Sequence, residues 1–105
     1  DLVDAFLADA QFGQPRLFFL WGHSYEFANN DNWDLIEGLC RRLGGRDDVW
    51  YATNIQVADY LNALRSLRVS ADLDIVHNPS ALAVWFTHRG TDPVEVKPGR
   101  TIALA

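Results

Sequence analysis

The chain has 105 residues, which is enough for one domain or for part of one. Hydrophobic residues make up 49% of it, a fraction typical of a globular protein and too high for a disordered one. The formal net charge is −5, and no basic cluster is longer than Arg41-Arg42, so we expect neither a nucleic-acid partner nor an anionic membrane partner. No apolar run reaches the roughly 18–20 residues that a membrane span needs.

The chain begins at Asp1 and contains no methionine, so we expect a processed form, an engineered segment or a piece of a longer chain. Its single cysteine, Cys40, cannot form an internal disulfide, and the cellular compartment cannot be read from it. Because Cys40 falls on the apolar stripe of a predicted helix, we expect an inert, buried thiol.

Helical and strand patterns alternate through the first two thirds of the chain. The order is a helix over 1–12, a buried strand over 16–21, a helix over 32–43, a strand over 48–52 and a helix over 53–67. Thr53 and Gln56 have the spacing of a capping box and predict the start of the last helix. This alternation is typical of parallel strands joined by right-handed crossovers.

The last third changes to short β-prone runs between turn signals, which predicts an antiparallel meander. These runs cover residues 69–76, 81–87, 94–96 and 101–104. We therefore divide the chain into β/α units over 1–68 and a β-strand extension over 69–105. Two parallel strands are too few to stand alone, so further strands come from a longer parent chain, from an oligomer partner at open strand edges, or from the C-terminal strands in a mixed sheet.

The strongest functional signal follows the apolar run that ends at Trp21. Gly22 allows a sharp turn, and His23, Tyr25 and Glu26 then lie just beyond the carboxyl end of a buried strand. Ligands and catalytic residues of α/β folds gather at that edge. His23 can act as a general acid or base, although a histidine that only makes a structural hydrogen bond is the alternative. Tyr25 and Glu26 would orient it or bind substrate, or simply pack and be solvated.

The pattern of the other reactive residues predicts no metal site within this chain. The three histidines lack a ligand spacing such as His-x-x-x-His, and no second cysteine is present. The four tryptophans could form a surface on which sugars stack, or they could lie in the core. They are Trp21, Trp33, Trp50 and Trp85.

Several short strings resemble the C-terminal part of NodB-type polysaccharide deacetylases. The resemblance extends from about Arg16 to the end of the chain, and its most specific parts are Trp-Gly-His-Ser-Tyr-Glu-Phe and Trp-Tyr-Ala-Thr-Asn. The strings occupy residues 21–27, 32–33, 49–54, 60 and 78–80.

That resemblance implies a partial (β/α) barrel, with two β/α units followed by an antiparallel β C-terminal extension. In the family, a divalent metal, commonly zinc, is held by one aspartate and two histidines, and a metal-bound water attacks the acetamide of an N-acetylated sugar. By position, His23 resembles the late-strand histidine that protonates the leaving amine. Only His23 is matched to the family in this way; Trp21, Tyr25 and Glu26, next to it in the sequence, are the substrate-binding candidates.

The family's early motifs have no counterpart here, since Asp47-Asp48 precedes a strand and no His-x-x-x-His pair occurs. The resemblance therefore predicts the C-terminal part of a deacetylase that is inactive alone and works with a missing N-terminal barrel portion or in a homo-oligomer. Its substrate would be an N-acetylated polysaccharide or oligosaccharide. The alternatives are a non-catalytic carbohydrate-binding or assembly module and a structural domain.

Overall fold

The computed structural model describes residues 1–8 and 15–104 of the chain. It divides into two compact units, Asp1–Trp50 and Tyr51–Ala105. The predicted division between residues 68 and 69 rests on a change of sequence pattern and stays a prediction. The end of the helix predicted over 1–12 lies outside the described residues.

The described part of the first unit is helical. It contains α1 (Leu2–Leu7), α2 (Ser24–Asn30) and α3 (Trp33–Leu43). Arg42 of α3 pairs with the carboxylates of Asp1 and Asp4, which connects α3 to the start of α1. The rings of Phe27 in α2 and Trp33 in α3 also contact each other, with their centroids 5.6 Å apart.

The predicted partial (β/α) barrel is wrong. Within the described residues there are four helices and two small antiparallel sheets, and no parallel pair of strands. Neither 16–21 nor 48–52 forms a strand. A strand buried on both faces needs paired neighbours and covering helices, and no described strand forms a ladder with residues 17–21. Most of its apolar side chains are exposed, including 68% of Leu17 and 60% of Phe19. Phe18 is half-buried, with its ring centroid 5.3 Å from that of Phe6.

The predicted apolar stripe of α3 is only partly covered. Ile36, Leu39 and Leu43 are half-buried, whereas Cys40 is exposed, so the expectation of a buried thiol is wrong. Since no residue of α3 is fully buried in the described structure, the helix keeps an apolar face open.

A bidentate ion pair follows α3. The Nε and Nη2 atoms of Arg46 donate to the two carboxylate oxygens of Asp48 at 2.9 and 2.8 Å. The hydrogen bonds from Arg46, with its positive charge in addition, hold the pKa of Asp48 below its usual value. A carboxyl whose pKa is lowered by folding stabilises the fold above its unfolded pKa, and this contribution is lost as the pH falls through the folded pKa.

We expect Arg46→Gln to raise the pKa of Asp48 towards the ordinary aspartate value, because the charged donor is removed. Carboxyl-carbon NMR titration measures this directly. Arg41→Gln is the matched control, since Arg41 pairs with Glu37 instead. An unchanged Asp48 titration in Arg46→Gln would contradict the assignment of the shift to this pair.

The second unit begins with α4 (Asn54–Arg65). Thr53 is its N-cap: the Gln56 N–H donates to Thr53 Oγ1 at 3.3 Å, and the Thr53 N–H donates to Gln56 Oε1 at 2.8 Å. This reciprocal pair satisfies two backbone donors at the start of the helix. The predicted capping box is thus confirmed.

Five short strands follow α4: β1 (Arg68–Val69), β2 (Ile75–His77), β3 (Val84–Phe86), β4 (Val94–Val96) and β5 (Thr101–Ala103). In the described chain, one antiparallel sheet has the order β1-β2-β5, with Val76 opposite Val69 and Ile102. In the other sheet β3 pairs with β4, and Trp85 lies opposite Glu95.

The core of this unit lies where α4 meets the strands. Its buried members are Ala63, Val76, Val84 and Val96. Tyr60, Leu64 and Leu67 of the α4 region pack against them, together with Phe86, Ile102 and Leu104. The apolar spacing within residues 53–67 predicts that Ile55 and Leu61 face the core, but both side chains are exposed.

Asn78 connects the two sheets from a fully buried position. Its side-chain amide donates to the carbonyl oxygens of Leu82 and Val96 at 2.7 and 2.9 Å, and its Oδ1 accepts from the N–H and the hydroxyl of Ser80. Its backbone N–H donates to the carbonyl oxygen of Arg100, just before β5. One side chain therefore satisfies polar groups of the turn between β2 and β3 and a carbonyl of β4.

A tyrosine of α4 fixes the position of β3. The Tyr60 hydroxyl accepts a hydrogen bond from the Trp85 N–H at 3.1 Å. We expect Tyr60→Phe to destabilise this unit by about 1 kcal/mol, because a typical neutral hydrogen bond contributes that amount. Chemical denaturation measures the loss, and Tyr25→Phe serves as the control for removing a phenol hydroxyl. Equal stability of Tyr60→Phe and the unchanged protein would disprove the role of this bond.

Candidate functional site

His23 lies directly before α2, where the backbone changes from an extended to a helical conformation. It is the N-cap of that helix, with φ −115° and ψ 138°. The sequence analysis placed it in a loop beyond a buried strand; instead, residues 24–30 are helical and the residues before it form no strand. The short helix brings Glu26 back towards the His23 backbone, because the side chain of the third helical residue reaches the N-cap.

Two aromatic rings contact the imidazole of His23. The Tyr25 ring is stacked on the His23 ring, with centroids 5.0 Å apart and an interplanar angle of 21°. The Trp21 ring meets the imidazole edge-on at 6.1 Å and 82°. The four predicted site residues, Trp21, His23, Tyr25 and Glu26, therefore form one cluster, which we call the His23 cluster.

Glu26 contacts both the backbone and the ring of His23. Its Oε2 accepts a hydrogen bond from the His23 N–H at 3.1 Å, and its Oε1 lies 3.8 Å from the ring Nδ1. Both side chains are about half exposed, at 54% for His23 and 53% for Glu26. The imidazole thus lies beside a carboxylate and remains accessible from solvent.

Gly22 contributes space rather than a special backbone conformation. We expected Gly22 to allow a sharp turn. Its φ is not positive, unlike that of Gly45, Gly90 and Gly99, so the backbone at Gly22 does not require a glycine. A Cβ atom at Gly22 would lie 3.3 Å from Glu26 Oε2. The absence of a side chain therefore leaves room for the carboxylate.

The presence of α2 was missed from the sequence, although one signal was available. The spacing from His23 to Glu26 is that of a capping box, in which the fourth residue's carboxylate reaches back to the N-cap backbone. Histidine is not among the preferred N-cap residues, so the pattern does not stand out. The same helix explains why Glu26 faces the ring.

Among the described residues, no group of three or more histidine, cysteine, aspartate or glutamate side chains is arranged to hold a metal ion. In the same residues, no helix combines the length and the apolar character that crossing a membrane requires. An open groove of about 470 Å³ in the second unit is built from other residues, among them Asp59, Asn62 and Leu82.

No protein-family model, curated protein or solved structure matches the chain.

Proposed function

We propose that the chain contributes His23 as the proton-donating residue of a metal-dependent polysaccharide deacetylase. The observation that carries the proposal is the His23 cluster: a half-exposed imidazole, stacked on Tyr25 and contacted by the carboxylate of Glu26. A positioned histidine with a carboxylate neighbour and solvent access is suited to general acid–base catalysis near neutral pH.

The proposed substrate is an N-acetylated polysaccharide or oligosaccharide. Trp21 supports this choice, because its ring is 76% exposed beside the imidazole. An exposed indole offers a flat apolar face, and sugars present apolar faces of similar size. In this arrangement Trp21 and Tyr25 would hold the sugar ring while His23 reaches its amide nitrogen.

The rest of the catalytic apparatus is proposed to lie outside these 105 residues. It would include the divalent metal, commonly zinc, which polarises the acetamide carbonyl and lowers the pKa of its bound water. The exposed apolar residues Leu17, Phe19 and Leu20 support such a partner, because contiguous apolar side chains at a surface mark an interaction site. Either the remaining portion of the enzyme or a second copy of the chain would cover them.

The test compares two samples on an N-acetylated oligosaccharide, with released acetate as the readout. We expect the purified 105-residue chain to give no turnover above buffer, and the complete product of the gene, loaded with zinc, to release acetate and to bind about one metal ion per site. Turnover by the chain alone would refute the proposal that the rest of the catalytic apparatus lies outside these 105 residues. If the complete gene product neither binds a metal ion nor releases acetate, the proposed deacetylase function is refuted.

The second candidate is a non-catalytic carbohydrate-binding module. It is favoured by the exposed aromatic side chains Trp85 and Trp50, at 47% and 61%. Glycan titration of the chain against Trp85→Ala tests it, since the hydrogen bond at Trp85 uses the backbone N–H and survives the substitution. A loss of glycan binding in Trp85→Ala, with metal-independent binding in the unchanged chain, would favour the module.

A further inference from the structure

The hairpin of β3 and β4 presents two side chains together on its outer face. Val84 and Val96 are opposed across the ladder and fully buried, so they face the core of the second unit. Because successive residues of a strand point to opposite faces, Trp85 and its opposed residue Glu95 both point away from that core. Trp85 is 47% exposed, and Glu95 is exposed as well. An indole and a carboxylate therefore lie side by side at the surface.

The register brings these two side chains as close as an antiparallel pair allows. The Trp85 N–H donates to the Tyr60 hydroxyl at 3.1 Å, so it points away from β4. Trp85 and Glu95 are thus a non-hydrogen-bonded pair, the kind with the shorter separation across the ladder. Since directly opposed Cβ atoms lie roughly 4.5–5.5 Å apart, one ligand can touch the indole and the carboxylate at once.

The carboxylate of Glu95 has no cation of its own. Within the part of the chain that the structure describes, it forms no ion pair, and Lys97, two residues further along, forms none either. An exposed indole face attracts cations through its ring quadrupole, and a carboxylate adds a charged hydrogen-bond acceptor. The pair is therefore suited to a ligand that combines a flat apolar face with a positive charge.

We propose that Trp85 and Glu95 bind a sugar unit that carries a free, protonated amine. The apolar face of the sugar ring packs on the indole, and the ammonium group pairs with the Glu95 carboxylate. An N-acetylated unit keeps the stacking but brings no charge. Under the proposed function, such an amine is what removal of an acetyl group leaves on the polymer, so the site would hold product units. Only this last step rests on the proposed function; the preference for an amine does not.

The experiment is an NMR titration of the 105-residue chain with a glucosamine tetrasaccharide and with its fully N-acetylated counterpart. The pH is mildly acidic, so that carboxylates are ionised and sugar amines are protonated. The indole N–H signal of Trp85 is identified with Trp85→Phe, which keeps an aromatic ring on β3. We expect this signal to move with both probes, and the amino tetrasaccharide to bind about fivefold more tightly, the size of an exposed ion pair together with a cation–π contact.

Glu95→Gln is the decisive variant, because it removes the charge and keeps the shape of the side chain. We expect it to bind both probes equally. Lys97→Gln is the matched control: it removes a neighbouring charge, and the preference for the amine should persist. The preference in the unchanged chain should also shrink in high salt, because salt screens exposed charges.

Three results would each overturn the inference. They are equal binding of the two probes to the unchanged chain, no response of the Trp85 signal to either probe, and a preference that survives in Glu95→Gln. Selective binding of the amino tetrasaccharide, with no acetate release by the complete gene product, would leave the amine site established and the deacetylase refuted.

Discussion

Asn78→Ala should destabilise the second unit by about 3 kcal/mol, since each buried polar group left without a partner costs roughly 1–3 kcal/mol. The substitution removes both amide donors, so the Val96 carbonyl loses its side-chain partner, and Leu82 keeps only the bond from the Ser80 hydroxyl. A small cavity is added at a site that is completely inaccessible to solvent. Thermal and urea unfolding, followed by circular dichroism, measure the loss.

The size of this effect decides whether the unit stays folded. Proteins of this size have net stabilities of the order of 5–15 kcal/mol for a whole domain, and the buried core here consists of only a few small side chains. Asn78→Asp should be at least as damaging, because a carboxylate oxygen would face two carbonyl oxygens. Asn62→Ala, at an exposed position on α4, is the control and should change the stability by less than about 0.5 kcal/mol. An Asn78→Ala protein as stable as the control would show that the buried amide does not connect the two sheets.

If the complete protein is the deacetylase proposed above, His23→Ala should lower its kcat by about 10²–10⁴-fold, which is the usual contribution of one general acid or base. KM should change little, because the proposed sugar contacts belong to Trp21 and Tyr25. The fold should tolerate the change: the ring is half exposed, and Glu26 accepts from the His23 backbone, which the substitution keeps. Steady-state kinetics on an N-acetylated oligosaccharide measure both constants.

Two controls make the His23 result specific. His88→Ala removes a different imidazole and should leave kcat unchanged. Trp21→Ala should raise KM more than it lowers kcat, because it removes a binding surface and no proton donor. If the His23→Ala protein has the same kcat as the unchanged protein, His23 takes no part in the reaction.

The sequence predicted the start of a helix correctly where the residues that mark the start also make its first hydrogen bonds. Thr53 and Gln56 make the two hydrogen bonds that begin α4, so their spacing predicted the start of the helix. The inward face of α4 was predicted less well, because Ala63 is small and Tyr60 is amphipathic. Neither residue stands out in a search for bulky apolar side chains, although both lie against the core.

The first unit shows the opposite case. The apolar run at 16–21 has the composition of a buried strand, but a strand also depends on neighbours that its own sequence does not specify. No described strand forms a ladder with residues 17–21, so they lie outside both sheets. The His23 cluster was recognisable because its members are close in sequence, whereas the roles of Gly22 and Glu26 depend on α2, which the pattern did not predict.

The unpaired run also affects how the chain behaves in concentrated solution. Residues 17–21 are five consecutive apolar side chains of high β-propensity without charge, which is the composition that stacks into cross-β fibrils when exposed. Pro15 and Arg16 precede the run, and residues of these two kinds interrupt such stacking. We therefore expect the chain to self-associate through this segment at high concentration, and an added charge at Phe19 should suppress this association.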